Sequence, residues 1–542
     1  MLGSVPRLAD DPAIVRAAAE SQGVCVRPIL RELVDTVTGT TQTVVLPCGS
    51  TRATVCKSCA DKARRLRMQQ CREGWHRDRD DDLEPGSTQH DEDEDNEDED
   101  DDAEGSDRRV RSTRRRQDAP DLPRVEMAAT TIGRILTSPN GRSYRPSMFL
   151  TLTLPSYGKV HDDGTPVDPS TYDYRRAALD AMHFSKLVDR FWQNLRRCAG
   201  YKVQYFSAVE AQRRLAPHLH AAVRGVIKRS VVLQVIRATY HQAWWPPFDT
   251  PIYLGHAVPL WDHRHQAYVC PWTGAPLRTW ESALDDLDAQ LEADPSTTPA
   301  HVVRFGKQAD YKWLIADSTR TQRAVGYLTK YLTKSVADTY GDPDLLTVRQ
   351  RAHLDRLNHE TRWLPCGPEC GNWLRYGIQP KNATEGLEPG TCRRAAHDPE
   401  NLGYGGRRVL VSRQWTGKTL TEHRADRAEV VRQVLLEAGV ELPDRDRMSA
   451  TATGPDGQIR YEWRPVSFKD VDIRLWKHAI LASVRERIRW RTQYEAAKRA
   501  GPPETPNPPT DPRGLPTTST PVVSGMAVKG GRRPSRSDAK RP

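Results

Sequence analysis

Residues 91–104 read DEDEDNEDEDDDAE, twelve carboxylates in fourteen positions. Like charges packed this densely repel one another, and nothing in the run can bury apolar surface. A basic tract, RRVRSTRRR at 108–116, follows closely. The sequence therefore predicts a disordered acidic/basic insertion over 76–120, and any fold has to be assembled from the chain on either side of it. The insertion fits two roles, a solvated linker or an acidic mimic of DNA that shields a basic groove.

The charge balance outside the run is as telling. The 542 residues carry a formal +10, and with the twelve acidic charges of the run set aside the rest stands at +22. So basic a chain favours a nucleic acid or another anionic surface as partner. No stretch of about 18 apolar residues is present, which excludes a helical membrane span. The N-terminus shows no secretory pattern, and the default expectation is a soluble, cytoplasmic protein. Its ten cysteines are then expected to be reduced and available for metal.

The remaining chain divides by composition. Residues 1–75 form an N-terminal region with a cysteine-rich module. Residues 121–345 form the main domain, with a Pro-, Trp- and Asp-rich insertion at 246–300. A second Cys/His module follows at 346–410, then a helical region at 411–500. The tail 501–542 holds ten prolines and ends GGRRPSRSDAKRP, a disordered basic segment suited to non-specific DNA contact. Within the main domain, 148–154 (MFLTLTL) reads as a buried strand, and 174–198 carries apolar residues at helical spacing. Residues 203–210 and 218–227 read as strands, 230–244 as a helix, 302–305 as a short strand and 319–338 as an amphipathic helix. Further on, 407–412 suggests a strand, and 420–439 and 470–499 suggest helices.

Two motifs carry chemistry. In Pro217-His218-Leu219-His220, the strand period of two puts both imidazoles on one face. Same-face imidazoles suit a divalent metal, although a His-x-His pair alone also fits ordinary sheet histidines. Glu210 lies eight residues upstream, and a short turn could return it beside the pair as a carboxylate ligand. The second motif is a tandem repeat, Tyr327-Leu-Thr-Lys330-Tyr331-Leu-Thr-Lys334. The four-residue offset stacks Tyr327 and Tyr331 on one helix face, with Lys330 and Lys334 in a parallel row. A phenol with a pKa near 10 needs a cation nearby to act as a nucleophile. Two core tyrosines flanked by solvated lysines fit the same pattern.

Taken together, FLTLTLP (149–155), EAQRRLAPHLHAAVRG (210–225) and VGYLTKYLTKS (325–335) resemble the HUH endonucleases. More closely, they resemble the rolling-circle replication initiators of actinobacterial, Streptomyces-type plasmids and integrative elements. The likeness extends into WLRYGIQPKNA (373–383) and LGYGGRRVLVSRQWTGKTL (402–420), and covers about 45–400 apart from the insertions. It implies an α+β fold with a central antiparallel sheet and flanking helices. His218, His220 and Glu210 would hold a catalytic Mg²⁺ or Mn²⁺. Tyr327 and Tyr331 would be the nucleophiles and Lys330 and Lys334 their accompanying cations. The implied activity is origin-specific nicking of single-stranded DNA through a 5′-phosphotyrosine, leaving a 3′-OH primer. Single- and double-stranded origin DNA, a host helicase and the replication machinery are the implied partners. A two-tyrosine transposase uses the same chemistry, and a zinc-finger DNA-binding regulator without catalysis would need neither tyrosine.

The cysteines fall into two sets. Cys48, Cys56, Cys59 and Cys71 supply four thiolates around a Cys-x2-Cys knuckle, enough for a structural Zn²⁺. Lys57, Lys62, Arg64, Arg65 and Arg67 lie among them and suit a DNA-contacting finger. Cys366, Cys370, Cys392 and His397 form close pairs at both ends of a loop, the usual frame of a Cys3His zinc site. Cys25, Cys198 and Cys270 are left over and are expected in the core. Trp244, Trp245, Trp261, Trp272 and Trp280 are candidates for stacking on unpaired bases, with core packing the better expectation for most.

Overall fold

The computed structural model describes residues 11–75, 122–330, 338–437 and 452–500, apart from 134, 138, 142, 256, 316–318, 342, 456 and 467–472. The expected disordered segments 76–120 and 501–542, and the site candidates Tyr331 and Lys334, lie outside the described residues, as do residue 121 and all of 331–337. In chain order the elements begin with α1 (Pro12–Ser21), β1 (Ile29–Asp35), β2 (Thr41–Leu46) and α2 (Ala53–Trp75). Next come β3 (Leu136–Thr137), β4 (Ser143–Tyr144), β5 (Pro146–Thr153), α3 (Tyr174–Ala199), β6 (Tyr205–Ala211) and β7 (Pro217–Arg224). They continue with α4 (Arg229–Ala238), β8 (Tyr240–Ala243), β9 (Leu260–Asp262), β10 (Ala267–Val269), α5 (Trp280–Ala293), β11 (His301–Arg304) and β12 (Ala309–Ile315). The last are α6 (Thr319–Lys330), α7 (Val348–Trp363), β13 (Val409–Val411), α8 (Leu420–Glu437), β14 (Tyr461–Pro465) and α9 (Ile473–Ala500). The architecture is mixed α+β, built on antiparallel sheets.

Five strands make the central sheet in the order β12-β5-β7-β6-β13, every neighbouring pair antiparallel. Because side chains alternate across a strand, the sheet has two different faces. Met148, Leu150, Leu152, Val209, Leu219, Ala221 and Val223 point to one face, where they pack with Phe184, Leu187, Phe191 and Leu195 of α3 and Val232 and Val235 of α4. Helix α3 is set by its own sequence. Asp173 caps it by accepting from the Arg176 backbone N–H at 2.9 Å, and Gly200 ends it at φ 73°, a left-handed conformation that glycine adopts without strain. Each fully buried Leu or Phe on this face contributes about 1.5–3 kcal/mol.

The other face carries Phe149, Phe206 and Ala222, which pack with Cys71 and Trp75 of α2, Val325 and Leu328 of α6, and Trp415. The same face continues along β6 and β7 into Ala208, Glu210, His218 and His220, as the register Glu210↔His218 and Ala208↔His220 requires. A second sheet, β14-β1-β2, pairs the two ends of the described chain, with Leu33 opposite Trp463.

Several elements differ from their sequence-based expectation. The helix expected over 230–244 stops at Ala238. Thr239 turns its hydroxyl onto the Val235 carbonyl (2.7 Å), and 240–243 continue as β8, paired with β11. Strand β12 (ADYKWLI) was not foreseen. As the edge strand it is half solvated, so it lacks an apolar run. The helix expected over 319–338 is described as far as Lys330, and Asp338–Tyr340 form a 3-10 turn.

Candidate functional site

The β6–β7 hairpin makes the site. Its turn is tight: Gln212 N–H donates to the Ala216 carbonyl at 2.9 Å and Leu215 N–H to the Gln212 carbonyl at 2.7 Å, with Leu215 at φ 62°. Arg214 fastens the turn to the end of β5, donating to the Leu154 and Pro155 carbonyls at 2.7 Å each. The hairpin register then sets Glu210 directly across from His218.

Glu210, His218 and His220 bring one ligand atom each within 4.8 Å of the others. Glu210 Oε2 is 4.0 Å from His218 Nε2 and 3.8 Å from His220 Nε2. The far nitrogen of each ring is already engaged. His218 Nδ1–H donates to the Glu210 carbonyl at 3.0 Å, and His220 Nδ1 shares a hydrogen bond with Thr151 Oγ1 at 2.9 Å. Both Nε2 atoms are thereby turned toward the carboxylate, as second-layer bonds orient metal-ligating histidines. The sequence pointed to 149–155 only as a structural strand; Thr151 is its contribution to the site.

Tyr327 of α6 meets this group from above. Its hydroxyl lies 3.2 Å from His220 Nε2, with the two rings perpendicular at 4.8 Å. Phe149 sits edge-to-face with Tyr327 and stacks on His220. Tyr327 is 41% exposed, so the residue borders solvent as well as the buried group. Val325, Leu328 and Thr329 anchor the opposite side of the helix in the core.

All three ligand candidates are buried, and burial governs their protonation. It pushes Glu210 up to about 8, against the pull of Arg408 and Lys330. Burial lowers His218 to about 4, against its bond to the Glu210 carbonyl, and lowers His220 to about 3, helped by His218 and Lys312. Two nearby cations do not outweigh desolvation of the carboxyl. Glu210 Oε1 is also buried without a hydrogen-bond partner. A buried carboxylate needs a cation to ionise, and two imidazoles with one carboxylate are a donor set for a divalent ion. The residues fit a metal. Sequence reasoning missed Arg408, which precedes β13 and presents its charge to Glu210.

The Cys3His group converges as its spacing predicted: Cys366, Cys370, Cys392 and His397 offer ligand atoms within 4.8 Å of one another. His397 Nδ1–H donates to the Thr361 carbonyl at 2.7 Å, which leaves Nε2 facing Cys370 Sγ at 3.4 Å. Burial opposes the imidazolium, yet bonds to Cys370 and Cys392 carry His397 up to about 10. Proton sharing among the crowded thiols drives Cys392 strongly down and Cys366 strongly up. This cluster could hold zinc.

The N-terminal set is corrected at one residue. Cys71 is not with Cys48, Cys56 and Cys59; it is fully buried beside Trp75, Phe206 and Trp415. Twelve helical residues past Cys59 place it about 18 Å away. Cys25, expected to be a core residue, takes the fourth position. Cys198 packs in the core as expected. None of the ten cysteines is disulfide-bonded.

The tryptophans divide. Trp280 is buried against Trp373, Trp245 packs on His183 and Phe248, and Trp261 packs on Tyr268. Trp272 is 64% exposed and stacks on Tyr253. No helix among the described residues is long and apolar enough to cross a membrane.

Residues 11–486 match the family RepSA, "Replication initiator protein, pSAM2". The chain belongs to this family. A replication initiator protein of Streptomyces ambofaciens is 36% identical over 230 residues, a match that covers 36% of this chain and 43% of that relative. No solved structure matches the chain.

Proposed function

We propose that this protein is a metal-dependent, origin-specific single-strand DNA endonuclease and strand transferase of the HUH superfamily, which starts rolling-circle replication of a plasmid. The observation that carries the reading is the Tyr327 hydroxyl at 3.2 Å from His220, at the mouth of a buried Glu-His-His group. Membership of a replication initiator family supports it.

In this reading the Tyr327 oxygen attacks the scissile phosphorus and the bond from phosphorus to the 3′ oxygen breaks. The 5′ phosphate stays on the tyrosine as an ester, the phenol proton is lost, and the departing 3′ oxygen takes up a proton to become the primer 3′-OH. The ester conserves the bond energy, so strand transfer needs no nucleotide hydrolysis. A protonated phenol is a weak nucleophile and needs positive charge beside it; we assign that role to Lys330 of the same helix. Mg²⁺ or Mn²⁺ held by Glu210, His218 and His220 would polarise the phosphate and offset the charge that develops on it. Thr151 and the Glu210 carbonyl hold the two imidazoles in the orientation this demands, and Phe149 seats the phenol ring. Tyr331 and Lys334 repeat the unit four residues on in the sequence, and we assign them the second cleavage, at the regenerated origin. The Cys3His cluster is assigned a structural Zn²⁺, and a host helicase would open the duplex ahead of synthesis.

The test uses single-stranded oligonucleotides tiling the replicon, with Mn²⁺. A denaturation-resistant protein–DNA adduct, lost in the Tyr327→Phe/Tyr331→Phe chain while DNA retention persists, is the expected result. Retention of DNA with no adduct on any tile would instead mark a non-catalytic DNA-binding regulator. Joining of element ends without a replication primer would mark a transposase.

A further inference from the structure

Helix α2 ties two distant parts of the molecule together. At its start, Cys56 and Cys59 meet Cys25 and Cys48, and all four sulfurs lie within 4.8 Å of one another. Cys56 and Cys25 are 3.8 Å apart, and the Cys48 backbone N–H donates to Cys25 Sγ at 3.3 Å. Cys56 leaves the helical conformation (φ −158°, ψ 100°), so its thiol faces the cluster instead of following the helix surface. Four converging thiols, with a backbone N–H directed at sulfur, form a tetrahedral soft-ligand set whose charges a Zn²⁺ ion neutralises. The surrounding apolar residues come from both ends of the chain: Val15 and Ala19 of α1, Val24 and Val26, and Ile480 and Val484 of α9.

At its other end α2 is locked onto the catalytic sheet. Cys71 and Trp75 share a core with Val325 and Leu328 of α6. Arg224, on the strand that carries His218 and His220, donates to the Gly74 carbonyl at 3.0 and 2.6 Å. Gly74 itself lies against the Trp415 indole, which leaves no room for a Cβ there, and Trp415 Nε1 donates to the Gln70 carbonyl at 3.1 Å. Between Cys59 and Cys71 runs about 18 Å of continuous helix, stiff over that length.

We propose that Cys25, Cys48, Cys56 and Cys59 bind one Zn²⁺ ion, and that this ion, acting through α2, fixes the position of the helix that carries Tyr327. The zinc site stands on its own geometry; its effect on the nucleophile rests on the function proposed above. The cysteines are positioning residues, since none touches the reacting atoms.

The experiment uses the full chain carrying His218→Ala and His220→Ala, so that the catalytic ligands take up no zinc. Zinc content by mass spectrometry is expected to be two ions per chain, one here and one at the Cys3His cluster. It should fall to one in Cys25→Ser and stay at two in Cys71→Val. Hydrogen exchange in Cys25→Ser should show 319–330 losing protection by about tenfold or more while β5 and β7 keep theirs. Cys25→His, which keeps a ligand, should restore both zinc and protection. Should Cys25→Ser fail to fold, Cys48→Ser in the same chain, at the least buried of the four cysteines, gives the same two readouts. Retention of two zinc ions by Cys25→Ser, loss of one by Cys71→Val, or zinc loss with unchanged protection of 319–330 would overturn the proposal. Adduct formation is read separately, in the chain with His218 and His220 intact: normal protection of 319–330 there with no DNA adduct counts against the proposed function and leaves the zinc site standing.

Discussion

The two faces of the central sheet are made from the same strands, yet they do opposite things. Toward α3, β5, β6 and β7 present Leu150, Leu152, Val209, Leu219 and Val223 to a sealed core. Toward α6, the intervening residues Thr151, Glu210, His218 and His220 form a buried polar group with an orphaned carboxylate oxygen. A strand period of two lets one segment supply both. The difference teaches that the apolar face holds the strands in register so that the other face can keep groups that burial disfavours. Glu210, pushed up to about 8, is the clearest sign of that cost.

Substitutions on the two faces should therefore part company. On the polar face, His218→Ala or Tyr327→Phe is expected to cut adduct formation at the first cleavage by about a thousandfold, some 4 kcal/mol of barrier, with the melting temperature almost unchanged. Nicking assays beside thermal denaturation measure this, and a matching loss of stability would break the contrast. On the apolar face, Leu152→Ala should cost about 2–5 kcal/mol of stability, read by denaturant titration, with nicking per folded molecule preserved. Lys330→Ala is expected to slow nicking by about 10–100-fold. The effect should shrink as pH rises, because a phenol that ionises unaided has less need of the ammonium; a pH–rate profile with no such convergence would remove Lys330 from the chemistry.

A further contrast lies on α3 itself, and it shows only with pH. His183 is buried beside His241, His301 and Trp245, with Asp180 bonded to His301 at 2.8 Å. Burial, then His301 and Lys186, lower its pKa to about 3. A histidine held neutral in the fold stabilises it fully above its unfolded pKa near 6.5, and that stabilisation fades as pH falls from there toward 3. His183→Gln should flatten the acid side of the melting-temperature profile between pH 6.5 and 4, while an unchanged slope would assign the acid response to other groups.

Sequence alone gave access to the features that repeat with a period. MFLTLTL, the His-x-His pair and the apolar spacing of α3 each carry their own signal, and all three form the expected elements. Glu210 was legible because a short hairpin turn leaves few places for it to go. What was hidden depends on distant segments meeting. Cys25 joins a cluster 23 residues away from its nearest ligand partner, Cys48, whereas Cys71 has the better spacing but is carried off along a rigid helix. Arg408 reaches Glu210 only because β13 pairs with β6 across some two hundred positions. Edge strand β12 lacked an apolar run because, among the described residues, one of its sides has no neighbouring strand.

The central claim is that a tyrosine of α6 attacks DNA beside the Glu-His-His group, and the adduct's own attachment point tests it most directly. Trypsin cuts after Arg323, Lys330 and Lys334, so Tyr327 and Tyr331 fall in separate peptides, 324–330 and 331–334. Mass spectrometry of the adduct trapped on a cleaved origin oligonucleotide should find the nucleotide on 324–330 after the first cleavage. A nucleotide attached after the first cleavage to any residue outside 324–330 would contradict the account.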